Sequence, residues 1–176
     1  MHPDKIVSIV PVEREDLGLL RQISIRTFLE TFASSNTRED MDRYLEENMK
    51  EEKLLQEWTT AGSSFYFAYV GDELAGYLKT NTEAAQTELK EGEGLEIERI
   101  YVSGGFQGMQ LGQQLMAKAL ETARAQSKSF VWLGVWEHNH KAIGFYRKNG
   151  FEIFDKHIFR LGSDEQTDVL MKVTLT

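Results

Sequence analysis

LEIERIYVSGGFQGMQLGQQLM, Leu95 to Met116, is the stretch whose reading decides the fold. Its first eight residues, Leu95 to Val102, alternate and carry β-branched side chains, the pattern of a strand. Glycines at 104, 105, 108 and 112 then loosen the backbone. A helix follows to about Gln126, with Leu111, Leu115, Ala119 and Leu120 on one side and Gln113, Lys118 and Glu121 elsewhere. Its first turn reads as QGMQLGQQ. Backbone N–H groups in a first turn have no partner inside the helix, and the helix dipole favours negative charge there. Glycine removes the Cβ that would hold an anion away from those donors. Strand, glycine turn and helix start therefore read either as a phosphate cradle or as a flexible loop with a close-packed helix start. The spacing matches neither GxxxxGK[ST] nor GxGxxG.

Working outward, Ile6 to Val12 alternates as a first strand. From Glu15 to about Thr31, Leu19, Leu20, Ile23 and Phe28 recur at helical spacing. SSNTREDMDRYLEENM starts a second helix, with Thr37 as its cap and Asp40 three residues on, and EEKLLQEWTT makes a short third. SSFYFAYVGDELAGYLKTN alternates about a Gly71-Asp72 turn and reads as a β-hairpin. Thr82 to Gly94 is a polar, acidic loop. Beyond the glycine-loop helix come a strand (Phe130 to Val135), a short helix (Asn139 to Lys148) and two strands, Phe151 to Phe159 and Asp168 to Leu175. Nothing resembling a repeat or an interdomain linker interrupts the chain. One α/β domain over residues 1–176 is expected.

Composition narrows the chemistry. The 176 residues include no cysteine, which excludes disulfides, thiolate-bound metals and a cysteine nucleophile and fits a cytoplasmic location. A net charge of -8 argues against nucleic-acid binding and is compatible with a cationic partner. The chain shows no apolar run long enough for a signal peptide or a membrane span. His138 and His140 flank Asn139 with no third ligand in view and His157 distant, so no metal is expected and the histidines read as surface residues. Trp58, Trp132 and Trp136 read as core or pocket-rim aromatics.

WLGVWEHNHKAIGFYRKNGFEIF, Trp132 to Phe154, adds a second motif. With it, the sequence resembles the GNAT superfamily of acyl-CoA-dependent N-acyltransferases. ERIYVSGGFQGMQLGQQLM is similar to that family's pyrophosphate-binding motif, Q/R-x-x-G-x-G/A, and NHKAIGFYRKNGF to its N-x-x-A-x-x-F-Y-x-x-x-G-F segment. The resemblance covers roughly residues 64 to 175 and implies a central mixed, mostly antiparallel sheet flanked by helices. It implies acceptor-side helices at about 15–60 and a CoA-binding half at about 95–150. Acetyl-CoA is the implied co-substrate, held by Ile100, Tyr101, Val102, Gln107, Gly108, Met109, Gln110, Leu111, Gly112, Gln113, Asn139, Phe145, Tyr146 and Lys148. Gln110 stands where the pattern has glycine, a substitution that leaves the backbone donor intact if Gln110 is right-handed helical. Gln107 in place of an arginine removes a positive charge from the cradle. RTFLETFASSNTREDMDRYLEENM, Arg26 to Met49, is more loosely similar to a bacterial branch that acetylates polyamines such as spermidine and spermine.

The resemblance implies direct transfer in a ternary complex. An alkyl ammonium with a pKa near 10.4 is neutral in about 1 molecule in 2,500 at pH 7, equivalent to roughly 4.6 kcal/mol without assistance. Glu96 and Glu98 share one strand face and are the candidate bases, Glu96 ahead by its six-residue distance from Val102; solvated glutamates, or a salt bridge with Arg99, remain the alternative. Tyr146 occupies the position of the family's general acid, or is a core tyrosine beside Phe145. Backbone N–H groups around Tyr101 and Val102 would polarise the thioester carbonyl. Asn139 would bind the pantetheine arm, cap a helix, or both. The expected acceptor is a small-molecule amine. Glu30, Glu39, Asp40 and Asp42 are candidate acceptor contacts or a solvated helical face, and Phe28, Phe32 and Tyr44 are walls of an acceptor tunnel or core packing. Acetylation of a protein amine and a CoA-binding module without catalysis are the rival readings. The sequence sets no oligomeric state; a homodimer is compatible with it.

Overall fold

The computed structural model describes residues 6–176, so the first five residues of the expected domain lie outside it. Seven strands form one sheet in the order β1-β2-β3-β4-β5-β7-β6. They are β1 (Val7–Pro11), β2 (Ser63–Val70), β3 (Glu73–Thr82), β4 (Gly94–Val102), β5 (Phe130–Trp136), β6 (Glu152–Leu161) and β7 (Asp164–Thr174). Only β4 and β5 run parallel, joined through a helix; every other neighbouring pair is antiparallel. This is the mixed, mostly antiparallel sheet flanked by helices that the sequence led us to expect. Among the described residues, no helix is long and apolar enough to cross a membrane.

The helices are α1 (Leu17–Phe32), α2 (Arg38–Asn48), α3 (Glu51–Thr59), α4 (Leu111–Ala125) and α5 (His140–Lys148). A single 3-10 turn, Arg14–Asp16, precedes α1, so the first α-helix starts two residues later than its periodicity suggested. Leu17, Leu20, Ile23 and Phe28 are buried along α1, whereas Leu19 points to solvent. Thr37 caps α2 as expected, its hydroxyl accepting from the Asp40 N–H at 3.2 Å. The last two strands are longer than expected and meet in a tight turn at Gly162 and Ser163.

The sheet is packed on both faces. On one, α4 sets Leu111, Leu115, Met116 and Ala119 against Leu78, Leu95, Val131 and Leu133. On the other, α1 sets Leu17, Leu20 and Ile23 against Phe65, Phe67 and Tyr77. Each fully buried leucine or isoleucine contributes about 1.5–3 kcal/mol. A third cluster of Phe28, Met41, Met49 and Leu161 ties α2 to the β6–β7 turn.

One irregularity positions the site. In the β3–β4 ladder, Lys79 pairs with Arg99 and Thr80 with Ile97, leaving Glu98 as an inserted residue. A bulge bends its strand and breaks the two-residue alternation. Leu95 and Ile97 join the α4-side core, but after the bulge it is Ile100 and Val102 that pack there, with Tyr101 on the α1 side. Beyond the bulge β4 leaves its parallel neighbour: β4 and β5 pair only at Gly94–Glu96 with Phe130–Trp132.

Candidate active site

Where β4 and β5 part, a cleft of about 980 Å³ opens between them. Ser103 donates its N–H to the Ala75 carbonyl, on the β3 side. Backbone groups alternate along a strand, so the N–H of Tyr101 also faces β3, and those of Ile100 and Val102 face the side that β5 has vacated. The donors available to a ligand carbonyl are therefore those of Ile100 and Val102, a shift of one residue from the expected pair.

The glycine loop closes one end of this cleft. A 3-10 turn at Gly104–Phe106 leads to Gly108, at φ 83°, and to Gln110, at φ 60° and ψ 18°. Gln110 is thus left-handed, not right-handed helical, and α4 begins only at Leu111. A non-glycine residue pays about 1 kcal/mol for this conformation. As N-cap, Gln110 makes no side-chain bond to the helix, so the first-turn donors of α4 are not satisfied by it. Neither α4 nor α5 carries an acid in its first turn. Gln107 lines the cleft and its Oε1 accepts from Lys141 Nζ at 3.0 Å. Gly112 approaches Phe145 closely enough that a Cβ there would lie 3.6 Å from the ring. Of the expected cofactor contacts, Met109 and Lys148 are exposed and stand outside the cleft lining; the remaining ones line it.

Asn139 lines the cleft and caps α5, its Oδ1 accepting from the Ala142 N–H at 3.2 Å. The cap uses only that oxygen, so the amide N–H groups remain for other contacts. Tyr146, about two helical turns in, is buried and also lines the cleft. Burial alone pushes its phenol well above the ordinary tyrosine value. The site does not acidify this tyrosine; it keeps the proton on the hydroxyl.

The two glutamates are separated by their surroundings. Glu96 is buried, and its carboxylate accepts from the Thr87 N–H at 2.8 Å, Thr87 Oγ1 at 2.5 Å and Asn81 Nδ2 at 2.9 Å. Burial outweighs these bonds and raises its pKa. Glu98 also takes a bond from Asn81 Nδ2, at 2.7 Å, but lies 2.5 Å from Lys79 Nζ and 3.5 Å from Arg99. Burial opposes ionisation of Glu98, yet the Arg99 and Lys79 charges win and lower its pKa. Glu57 on α3 completes the network, contacting Lys79 at 3.2 Å and Arg99 at 2.8 Å. Glu98 is thus built into an ion-pair cluster, whereas Glu96 has no cation beside it among the described residues and burial lifts its pKa above the ordinary value.

The acceptor candidates divide differently from the sequence reading. Glu39 and Asp42 pair with Arg43 and Arg38 along the surface of α2, and Asp40 accepts from the Ser163 N–H and hydroxyl. Of the four, Glu30 alone lines the cleft. Phe28, Phe32 and Tyr44 do wall it, Phe28 stacking on Tyr44 at 4.4 Å. Glu88 and Asp168, which sequence reasoning did not single out, line the cleft with Glu96. His157 joins them: Nδ1 lies 2.6 Å from Glu88 and Nε2 lies 3.4 Å from Asp168, so it belongs to the site and not to the outer surface. Burial raises the Asp168 pKa against the pull of His157. These residues come from a loop, β6 and β7, and no local spacing connects them.

Residues 25–151 match the acetyltransferase (GNAT) family. The chain is 48% identical over 169 residues to an uncharacterized N-acetyltransferase in the pepI 3' region of Lactobacillus delbrueckii subsp. lactis, covering 96% of this chain and 98% of that one. It is 24% identical over 153 residues to the spermidine N(1)-acetyltransferase of Thermoplasma acidophilum, covering 85% and 90% of the two chains. Among solved structures, the PaiA N-acetyltransferase of Thermoplasma acidophilum in complex with coenzyme A superposes with a TM-score of 0.78 at 20% identity, covering 97% of this chain and 99% of that one.

Proposed function

This chain belongs to the acetyltransferase (GNAT) family, and we propose that it transfers an acetyl group from acetyl-CoA to a primary amine, with a polyamine such as spermidine or spermine as acceptor. The observation that carries this reading is one cleft in which the glycine loop, the freed donors of β4 and the buried Glu96 carboxylate converge. The residues fit the co-substrate. The uncapped start of α4 suits a diphosphate, the splayed edge of β4 suits an amide-bearing chain, and Asn139 has amide donors to spare.

Acetyl-CoA supplies the activated thioester. Glu96 accepts the proton of the incoming ammonium, directly or through water, since its raised pKa narrows the gap to the amine. The Ile100 and Val102 N–H groups face the position where negative charge develops on a carbonyl. Tyr146, protonated throughout the working pH range, hydrogen-bonds the departing sulfur and need not surrender its proton early. Direct transfer is the reading that the absence of cysteine, the commonest acyl carrier, agrees with.

Polyamine specificity is supported by the acid content of the acceptor end. Glu88, Asp168 and Glu96 line the same cleft, Glu88 and Asp168 meeting at His157, an acidic lining that suits a substrate with ammonium groups. The 24% identity to a spermidine N(1)-acetyltransferase points the same way. The test is thiol release from acetyl-CoA with spermidine, spermine, simple diamines and a lysine-bearing peptide as separate acceptors. Selective turnover of spermidine or spermine is expected. Turnover of the peptide alone would overturn the polyamine assignment.

A further inference from the structure

We propose that Lys141 supplies the positive charge of the anion cradle, pairing with the diphosphate of acetyl-CoA from α5 where Gln107 carries no charge. This rests on the acetyl-CoA reading above.

Gln107 opens the glycine segment at a position where the motif's alternative residue is arginine. The chain keeps the neutral form and brings a cation from elsewhere: Lys141 Nζ lies 3.0 Å from Gln107 Oε1, and both side chains line the cleft. Gln107 in turn donates from Nε2 to the Val102 carbonyl at 3.4 Å, which fixes its oxygen toward the lysine. The amide thus holds the ammonium beside the loop.

Among the described residues, Lys141 is the one lysine that lines the cleft. Lys79 and Lys128 both sit in ion pairs. Among the described residues, Lys141 has no carboxylate within 4.0 Å, in a chain of net charge -8. Its place on the helix is also electrostatically wrong without a ligand. It is the second residue of α5, where the helix dipole disfavours a cation, and no acid in that first turn compensates. An anion bound between the α4 and α5 starts removes the conflict, since it is attracted by both helix ends and by the ammonium.

The experiment compares wild type, Lys141→Gln, Lys141→Arg and the double variant Gln107→Arg/Lys141→Gln by calorimetry. The probes are CoA, dephospho-CoA, which lacks the 3'-phosphate, and pantetheine, which lacks every phosphate. Lys141→Gln is expected to weaken CoA and dephospho-CoA by the same factor of about ten and to leave pantetheine unchanged. Lys141→Arg should stay within about threefold of wild type, and the double variant should recover most of the loss, because the charge returns to the cradle from the loop side. Lys141 is exposed, so melting temperatures should agree across the set. Unchanged CoA affinity in Lys141→Gln would overturn the proposal. So would a loss confined to CoA, which places the charge on the 3'-phosphate, or an equal loss for pantetheine. A wild type that binds no CoA would instead overturn the co-substrate reading itself.

Discussion

The carboxylate of Glu30, on α1, accepts the backbone N–H of Gly104 at 2.9 Å and stands 3.5 Å from the Ser103 hydroxyl. This contact ties α1 to the first turn of the glycine loop, so the two walls of the cleft are set relative to each other. Glu30→Ala should raise KM for the amine about fivefold, the equivalent of one hydrogen bond worth about 1 kcal/mol. Glu30→Gln retains an acceptor oxygen and should remain near wild type. Steady-state kinetics on both variants checks this, with an equal loss in the two pointing to charge instead of position.

Glu96→Gln should lower kcat by about a hundredfold, the scale of one general base. Burial raises the Glu96 carboxyl above its usual value of 4.5, so the acid limb of kcat against pH should lie above that value in wild type. Activity rises as pH climbs through this limb, because the base must be ionised to accept a proton. The limb should vanish in Glu96→Gln.

Glu98→Gln should act on stability. Its folded-state carboxyl lies below the usual value of 4.5, so its ion pairs stabilise the fold above that pH and lose their effect as pH falls through the folded-state value. Breaking the buried cluster with Lys79 and Arg99 should cost about 3 kcal/mol at pH 7. Urea denaturation at pH 7 and pH 4 should show the wild-type advantage shrinking at the lower pH.

Tyr146→Phe should reduce kcat by at least about tenfold with CoA affinity within about twofold of wild type. Because burial holds the phenol above its ordinary value, no alkaline loss of activity should trace to Tyr146 below about pH 10. Wild-type turnover in the phenylalanine variant would remove Tyr146 from the chemistry.

Gln110→Gly should be nearly neutral for stability, within about 0.5 kcal/mol, since relief of the left-handed strain offsets the entropy glycine adds to the unfolded chain. Gln114→Gly, four residues on at an exposed right-handed position of the same helix, should cost about 1 kcal/mol. Thermal denaturation of the two variants tests the difference.

Much of the donor half was legible from local pattern. The strand before the glycines, the helix after them and the α5 segment are each coded by periodicity over a short span, and they form where expected. Gln110 escaped because left-handed geometry is a property of one residue's backbone, which no side-chain pattern reports unless glycine marks it. In sequence, Glu96 stood ahead of Glu98 only by its distance from Val102. Their difference came from Lys79, Arg99 and Glu57 on one side and Thr87 on the other, brought together by the sheet.

The sequence by itself determined the element order, the α/β class, the absence of a cysteine thiol and the glycine-rich approach to α4, because periodicity, composition and glycine placement are local. Only the tertiary structure decided which carboxylate is pushed up by burial and which is held down by cations, which donors of β4 stay free and which acids meet in the cleft. Those outcomes depend on burial and on neighbours distant in the chain: a one-residue bulge at Glu98 rotates the strand's faces and splays β4 from β5, and Glu88, His157 and Asp168 meet only once the sheet is built.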